Sequence, residues 1–308
     1  MKKIKVMACI LAVTMLAGIF AGCSKTTKLT TKNFVKACEK LKLEEVDFDD
    51  GGLGDELEDG FYTVADEERI EDDPKQVEYL LSEFGLDGVI DEDDVKSIAF
   101  AAKASGIDDF DDVDDPEDLA DVKFDGAMAL LIELDENYVT DVMEYIDDML
   151  DTYDVNTKNL TSKEYYSSKN DGYYRIHIDV AKLGKLALEN EDLMDLISMV
   201  MDEDDFEDLC KDLTGDFGIT FEVNGSSIFM LVGCSLNTKP SALNSFASAF
   251  KVVTNPTKVP MNDKFIKGLI QDTIDNYGDL AGGYDDYDYD YDDYDFDDYD
   301  YDDDDDGI

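Results

Sequence analysis

Basic side chains are scarce in this sequence: 26 Lys and Arg stand against 77 Asp and Glu, a formal charge of −51 over 308 residues. Binding DNA or RNA depends on counterion release by Lys and Arg, so this balance excludes a nucleic-acid-binding role. Histidine occurs once, at His177, and a histidine-rich metal centre therefore cannot be assembled. The five cysteines never fall at Cys-x-x-Cys spacing, which removes the usual zinc frameworks. Also missing are Gly-x-Ser-x-Gly, a phosphate loop, His-Glu-x-x-His and a dinucleotide fingerprint. Carboxylate-pair hydrolysis needs no such motif and stays open, although no one pair stands out among 77 acids.

What the sequence does contain begins at its N-terminus. Lys2, Lys3 and Lys5 precede an apolar run from Val6 to Ala21, broken only by Thr14 and Gly18. Charged, apolar and small-residue segments in that order make an export signal, and the run is short for a stable membrane span. It ends in Phe20-Ala21-Gly22-Cys23, which resembles the lipobox of bacterial lipoproteins, with Phe20 where leucine is commonest. The resemblance covers residues 1–23 only. It implies a signal peptide over 1–22 and a diacylated Cys23 as the first mature residue, with 23–30 as a tether to the membrane. Two acyl chains on one thiol anchor stably where a single chain does not. The alternatives are an ordinary secretory signal with an incidental cysteine and an uncleaved signal anchor. The resemblance implies the outer face of a cell membrane, and the acidity, the excess of Lys over Arg and the lack of Trp suggest a Gram-positive anaerobe.

The other end is of a different kind. Tyr284 to Asp306 holds fifteen Asp, seven Tyr and Phe296 with no basic residue. Asp opposes strand formation and the uncompensated charges repel, so residues 279–308 are expected to form a disordered acidic tail. Its partners would be a divalent cation or a cationic protein, met weakly and in a salt-sensitive way. The bland alternative is a repulsive, solubilising bristle.

Between them, residues 31–278 are expected to fold as one body, with two subdomains over about 31–155 and 156–278 as a variant. Helical spacing marks Thr31–Leu43, a segment entered through Asp73-Pro74, and Glu136–Thr152, the clearest amphipathic stretch. Further helices are expected near Leu186–Met201, Pro240–Phe250 and Asn262–Asn276. Hairpins are expected over Glu164–Val180, turning at Asn170-Asp171-Gly172, and over Ile219–Leu236, turning at Asn224-Gly225. Pairing Val95–Ala102 with Ala127–Leu134 across the acidic loop Asp108–Asp121 makes hairpin-then-helix occur three times. The expected class is therefore α+β, antiparallel hairpins with helices packed on one face.

So many carboxylates invite a test for calcium. Asp47, Asp49, Asp55 and Glu58 fall at EF-hand loop positions 1, 3, 9 and 12 with Gly52 at position 6, but Gly51 supplies no ligand at position 5. Asp87, Asp91 and Asp94 sit in Asp87-Gly88-Val89-Ile90-Asp91-Glu92-Asp93-Asp94, the back half of such a loop with a poorly equipped entering half. Weak Ca²⁺ binding is the only cofactor expectation, and a turn capping two helices is the plainer reading of the second segment. On the strand around His177, period two puts Arg175, His177 and Asp179 on one face. A nucleophile could come only from Ser167 or Ser168 across the hairpin, so that face is read as the solvent side of an amphipathic strand. Cys38, Cys210 and Cys234 are expected as buried thiols, one disulfide with a spare thiol being the alternative.

The function expected from the sequence is a membrane-anchored extracytoplasmic lipoprotein with a binding or structural body, not an enzyme. A Ca²⁺-dependent or carboxylate-based surface hydrolase is the first alternative. A solute-binding lipoprotein is the second, though its two-lobed βαβ pattern is missing.

Overall fold

The computed structural model describes residues 29–46, 56–72, 77, 81–82, 86, 88–113, 115–153, 155–198, 201–251 and 255–282. Its chain order is α1 (Thr31–Leu41), β1 (Glu44–Glu45), α2 (Glu56–Asp59), β2 (Phe61–Ala65), α3 (Glu67–Asp72), β3 (Val95–Ser105) and β4 (Phe124–Leu134). There follow α4 (Val139–Thr152), β5 (Tyr165–Ser167), β6 (Asp171–Asp179), α5 (Val180–Leu188), α6 (Glu191–Ile197) and α7 (Glu203–Asp212). The series closes with β7 (Gly215–Asn224), β8 (Ser227–Leu236), α8 (Ser241–Ala249) and α9 (Asp263–Gly282).

The eight strands form one sheet in the order β1-β2-β3-β4-β8-β7-β6-β5. Every described pairing is antiparallel except the two-residue β1 on β2. The first half of the body supplies β1–β4 and the second half β5–β8, and they meet where β4 pairs β8 from Phe124↔Leu236 to Glu133↔Ser227. The edges are short: β1 offers two glutamates and β5 three residues. The β7–β8 hairpin turns at Gly225-Ser226, where Gly225 has φ +59° at the first central position, a conformation glycine adopts without strain.

The class is α+β, as expected, and β3 pairs β4 across the acidic loop. The helices, however, cover both faces of the sheet rather than one. Alternation along β4 shows it: Leu130, Ile132 and Leu134 join the larger core, while Ala127, Ala129 and Leu131 join a separate core behind the sheet. Over the first face lies α4, whose Val142, Ile146 and Leu150 are fully buried, and α9, through Phe265, Ile266 and Ile270. Burial of each such side chain is worth about 1.5–3 kcal/mol. Over the second face lie α1, through Phe34 and Cys38, and α8, through Leu243 and Phe246.

The physical reason is a bed of small side chains. Ala99, Ala101, Ala127, Ala129 and Gly233 floor the second face, and a Cβ at Gly233 would stand 2.6 Å from the Leu243 Cβ. Only a floor this low lets two helices settle onto the backbone. Phe34, Phe229 and Phe246 then close around Phe250, with ring centroids 4.8, 5.3 and 5.9 Å from it.

Strand β4 also fixes where these helices begin. At one end Glu133 Oε2 accepts the Thr31 N–H of α1 at 2.8 Å, and at the other Asp125 Oδ2 accepts the Ala242 N–H of α8 at 2.9 Å. Carboxylates at helix N-termini satisfy otherwise orphaned donors and meet the positive end of the macrodipole. Thr30 caps α1 from within through Asn33, and Lys42 in the left-handed conformation (φ 61°) ends it.

Some elements differ from expectation in place. The stretch expected as one helix over 186–201 is two, α5 and α6, divided where Asn190 turns to accept the Leu193 N–H and cap the second. Asp171 and Gly172 lie inside β6 rather than in the turn, which falls at Ser168–Asn170. The helix start at Asp73-Pro74 lies outside the described residues. Of the tail expected over 279–308, residues 279–282 belong to α9, which runs six residues past the expected helix end at Asn276, and the rest lies outside the described residues.

Candidate functional site

Polar chemistry concentrates on the second face at β6 and β7, where Leu243 of α8 reaches only as far as Gly218. Period two along β6 sends Tyr174, Ile176 and Ile178 into the first core and Tyr173, Arg175 and His177 to the other side. The expectation that this other side faces solvent is overturned. Arg175 is 2% exposed and Tyr173 1%, because Thr161–Glu164 and the segment around Pro256–Val259 fold over the strand.

The Arg175 guanidinium donates from Nη1 to the Lys163 carbonyl at 2.8 Å, and its Nη2 stands 4.0 Å from Glu222 Oε1 on β7. Its carbon lies 5.2 Å from the centroid of the Tyr173 ring, whose hydroxyl donates to the Ser162 carbonyl at 2.6 Å. A buried cation is tolerated only with such compensation from opposite charge, carbonyl dipoles and an aromatic face. Removing one member therefore leaves the others buried and imperfectly satisfied.

His177 is tied at both ring nitrogens. Nδ1 lies 2.9 Å from the Val259 carbonyl and Nε2 2.8 Å from Asp216 Oδ1 on β7. A carbonyl and a carboxylate only accept, so a ring nitrogen that carries a proton donates to the one it faces. The imidazole joins the 255–262 segment to the sheet. Neither candidate nucleophile is within reach: Ser167 pairs with Gly172, five residues or about 17 Å along β6 from His177, and Ser168 Oγ bonds Asp171. Asp179, the third residue of the expected face, accepts the Lys182 N–H and caps α5.

His177→Ala is expected to lower stability by about 1.5–3 kcal/mol, the range for hydrogen bonds involving charged groups. Urea unfolding measures the loss. Faster amide exchange at Lys258 and Val259, whose N–H groups bond Asn255 and Pro256 carbonyls, locates it.

The calcium candidates are placed as follows. Asp47, Asp49, Asp55 and Asp87 lie outside the described residues, as does Cys23. Glu58 is exposed in the one-turn α2. Asp91 accepts the Asp93 N–H at 3.1 Å, and Asp94 accepts the Tyr138 hydroxyl at 2.5 Å, so both serve the turn that leads into β3. Among the described residues no group of three His, Cys, Asp or Glu is arranged to hold a metal ion. Cys38, Cys210 and Cys234 are free thiols, Cys38 buried and the other two half-buried.

Sequence reasoning missed three partners in this region. Asp216 and Glu222 belong to the second hairpin, and only the β6–β7 register, with His177↔Gly218 and Arg175↔Thr220, brings them beside the first. The Val259 carbonyl is a backbone group and carries no residue signature; the Asn255-Pro256 turn beside it was the one available cue.

No protein-family model matches the chain, and no curated protein or solved structure matches it either.

Proposed function

We propose that this protein is a lipid-anchored extracytoplasmic surface protein of a Gram-positive cell, whose α+β body has a binding or structural role rather than a catalytic one. The observation that carries the reading is Ala21-Gly22-Cys23 at the end of the apolar run, with the first helix of the body starting eight residues later at Thr31. The non-catalytic half of the reading draws support from His177. The single histidine is occupied at both nitrogens by groups that hold a segment in place. The acidic tail would be a weak, multivalent contact for cations or a cationic partner.

Cell fractionation of Cys23→Ser tests it. The wild-type chain is expected in the membrane fraction with a diacylglycerol on an N-terminal Cys23 seen by mass spectrometry. The variant is expected to lose that modification and either leave the membrane or keep residues 1–22 uncleaved. A processed variant retained on membranes as fully as the wild type would overturn the anchor.

A further inference from the structure

In a chain this acidic two long stretches carry no acid at all. No Asp or Glu occurs before Glu39, and none occurs from Val223 to Asn262. Those two stretches contain α1 as far as Cys38 and the whole of α8, the pair that share the second face. Along α1, Lys32, Lys36 and Lys40 recur at four-residue spacing and are all exposed, so they form one stripe, continued by exposed Lys42. None of the four has an ion-pair partner among the described residues. Exposed Lys239 and Lys251 flank α8 on the same layer. The acids of β4 beneath them, Glu133 and Asp125, are taken up by the N-termini of these helices. Glu39 is the only acid on α1, and Glu44 and Glu45 lie beyond its end at the sheet edge.

From these observations we infer that the exposed lysine stripe of α1 is a docking surface for anionic lipid headgroups, and that it lays the second face of the sheet against the membrane. The inference rests on the lipid-anchor reading, because Cys23 supplies the proximity: eight residues separate it from Thr31, at most about 28 Å of extended chain. Acyl anchors are commonly reinforced by a basic patch, each lysine near an anionic surface contributing about a fivefold gain in partition. The overall charge does not cancel this. The acid-rich α4 lies across the sheet, two layers or about 20 Å away, and charges separated by more than the Debye length of about 8 Å are largely screened. The protein would stand with the lysines of α1 toward the headgroups and the acids of α4 toward the outside.

Lysine acetylation of the processed protein tests the orientation. The protein is taken from the membrane fraction and reconstituted into vesicles of phosphatidylcholine alone or with phosphatidylglycerol, and modification is read peptide by peptide. Lys32, Lys36 and Lys40 are expected to react at least about fivefold slower on the phosphatidylglycerol vesicles, with Lys96 and Lys211 unchanged and the protection lost at about 1 M salt. Lys36→Glu with Lys40→Glu alters exposed positions only and is expected to abolish the protection of Lys32. Equal rates on the two vesicles, with diacylglycerol present on Cys23, overturn the docking surface and leave the anchor standing. A Cys23 without diacylglycerol overturns the anchor and this inference together.

Discussion

Phe250→Ala is expected to lower the unfolding free energy of the body by about 3–5 kcal/mol, the range for truncating a buried aromatic side chain. The position is the hub of the second core: its ring meets Phe34 of α1, Phe229 of β8 and Phe246 of α8. Truncation removes all three ring contacts, each worth about 0.5–1.5 kcal/mol beyond area burial. The flat bed of alanines cannot collapse to fill the space, since Ala99, Ala101 and Ala129 have no longer side chains to reach into it. Urea titration should show the midpoint falling with little change in slope, and amide exchange should quicken in α1 before it quickens in α4. A loss below about 1 kcal/mol would mean that α1 and α8 are held by something other than this ring cluster.

The second large effect is chemical. Burial, with the neighbouring Glu39 charge adding to it, pushes the Cys38 thiol up from 9.0 to about 12. At pH 8 the thiolate fraction is then about a thousandfold below that of an unperturbed cysteine, one factor of ten per unit. Reaction with a thiol reagent is expected to be slowed at least that much in the folded protein. Cys234, pushed up to about 11 chiefly by burial, should be slowed about a hundredfold. Half-buried Cys210 should therefore be modified first, and all three together in urea. Prompt modification of Cys38 in the native protein would show that α1 opens readily. The same shift sets a stability trend. Between about pH 9 and pH 12 the unfolded chain releases the Cys38 proton while the folded one keeps it, so stability present below pH 9 is lost as pH rises across that window. Tyr62, raised to about 12 by burial and by its hydrogen bond to Glu45, acts with the same sign.

The parts of the fold legible in the sequence are those decided by local pattern. The stripe of α4, the long pairing of β3 with β4 and the Gly225 turn all follow from apolar spacing and one glycine with φ +59°. Gly172 shows where local reading fails. Next to Asn170-Asp171 it has the look of a turn residue, yet it lies within β6, and a Cβ there would stand 2.4 Å from Met143 Sδ. It is a glycine of close packing, and only the arrival of α4 reveals that. The second helical layer was hidden for a similar reason: alanines at 99, 101, 127 and 129 form an ordinary half of an alternating pattern until two helices are seen resting on them. At the site, the shared face of Arg175 and His177 was readable from period two. Their burial was not, because it depends on Thr161–Glu164 and Pro256–Val259, loops whose course no periodicity encodes. Of the two calcium candidates, the described carboxylates Asp91 and Asp94 are engaged in holding a turn, a task that short acids in a loop perform as readily as ligation.

The two ends of the sheet carry a consequence for crowding. If the proposed lipid anchor holds it to the plane of a membrane, the protein would meet its neighbours side by side, at local concentrations far above those in bulk. An open strand is the usual template on which such neighbours join into fibrils. Here one margin is a pair of glutamates and the other a three-residue strand, too brief to seed a ladder and, at Glu44 and Glu45, mutually repellent. On the proposed anchor, the described edges would let many copies share one surface without joining strand to strand.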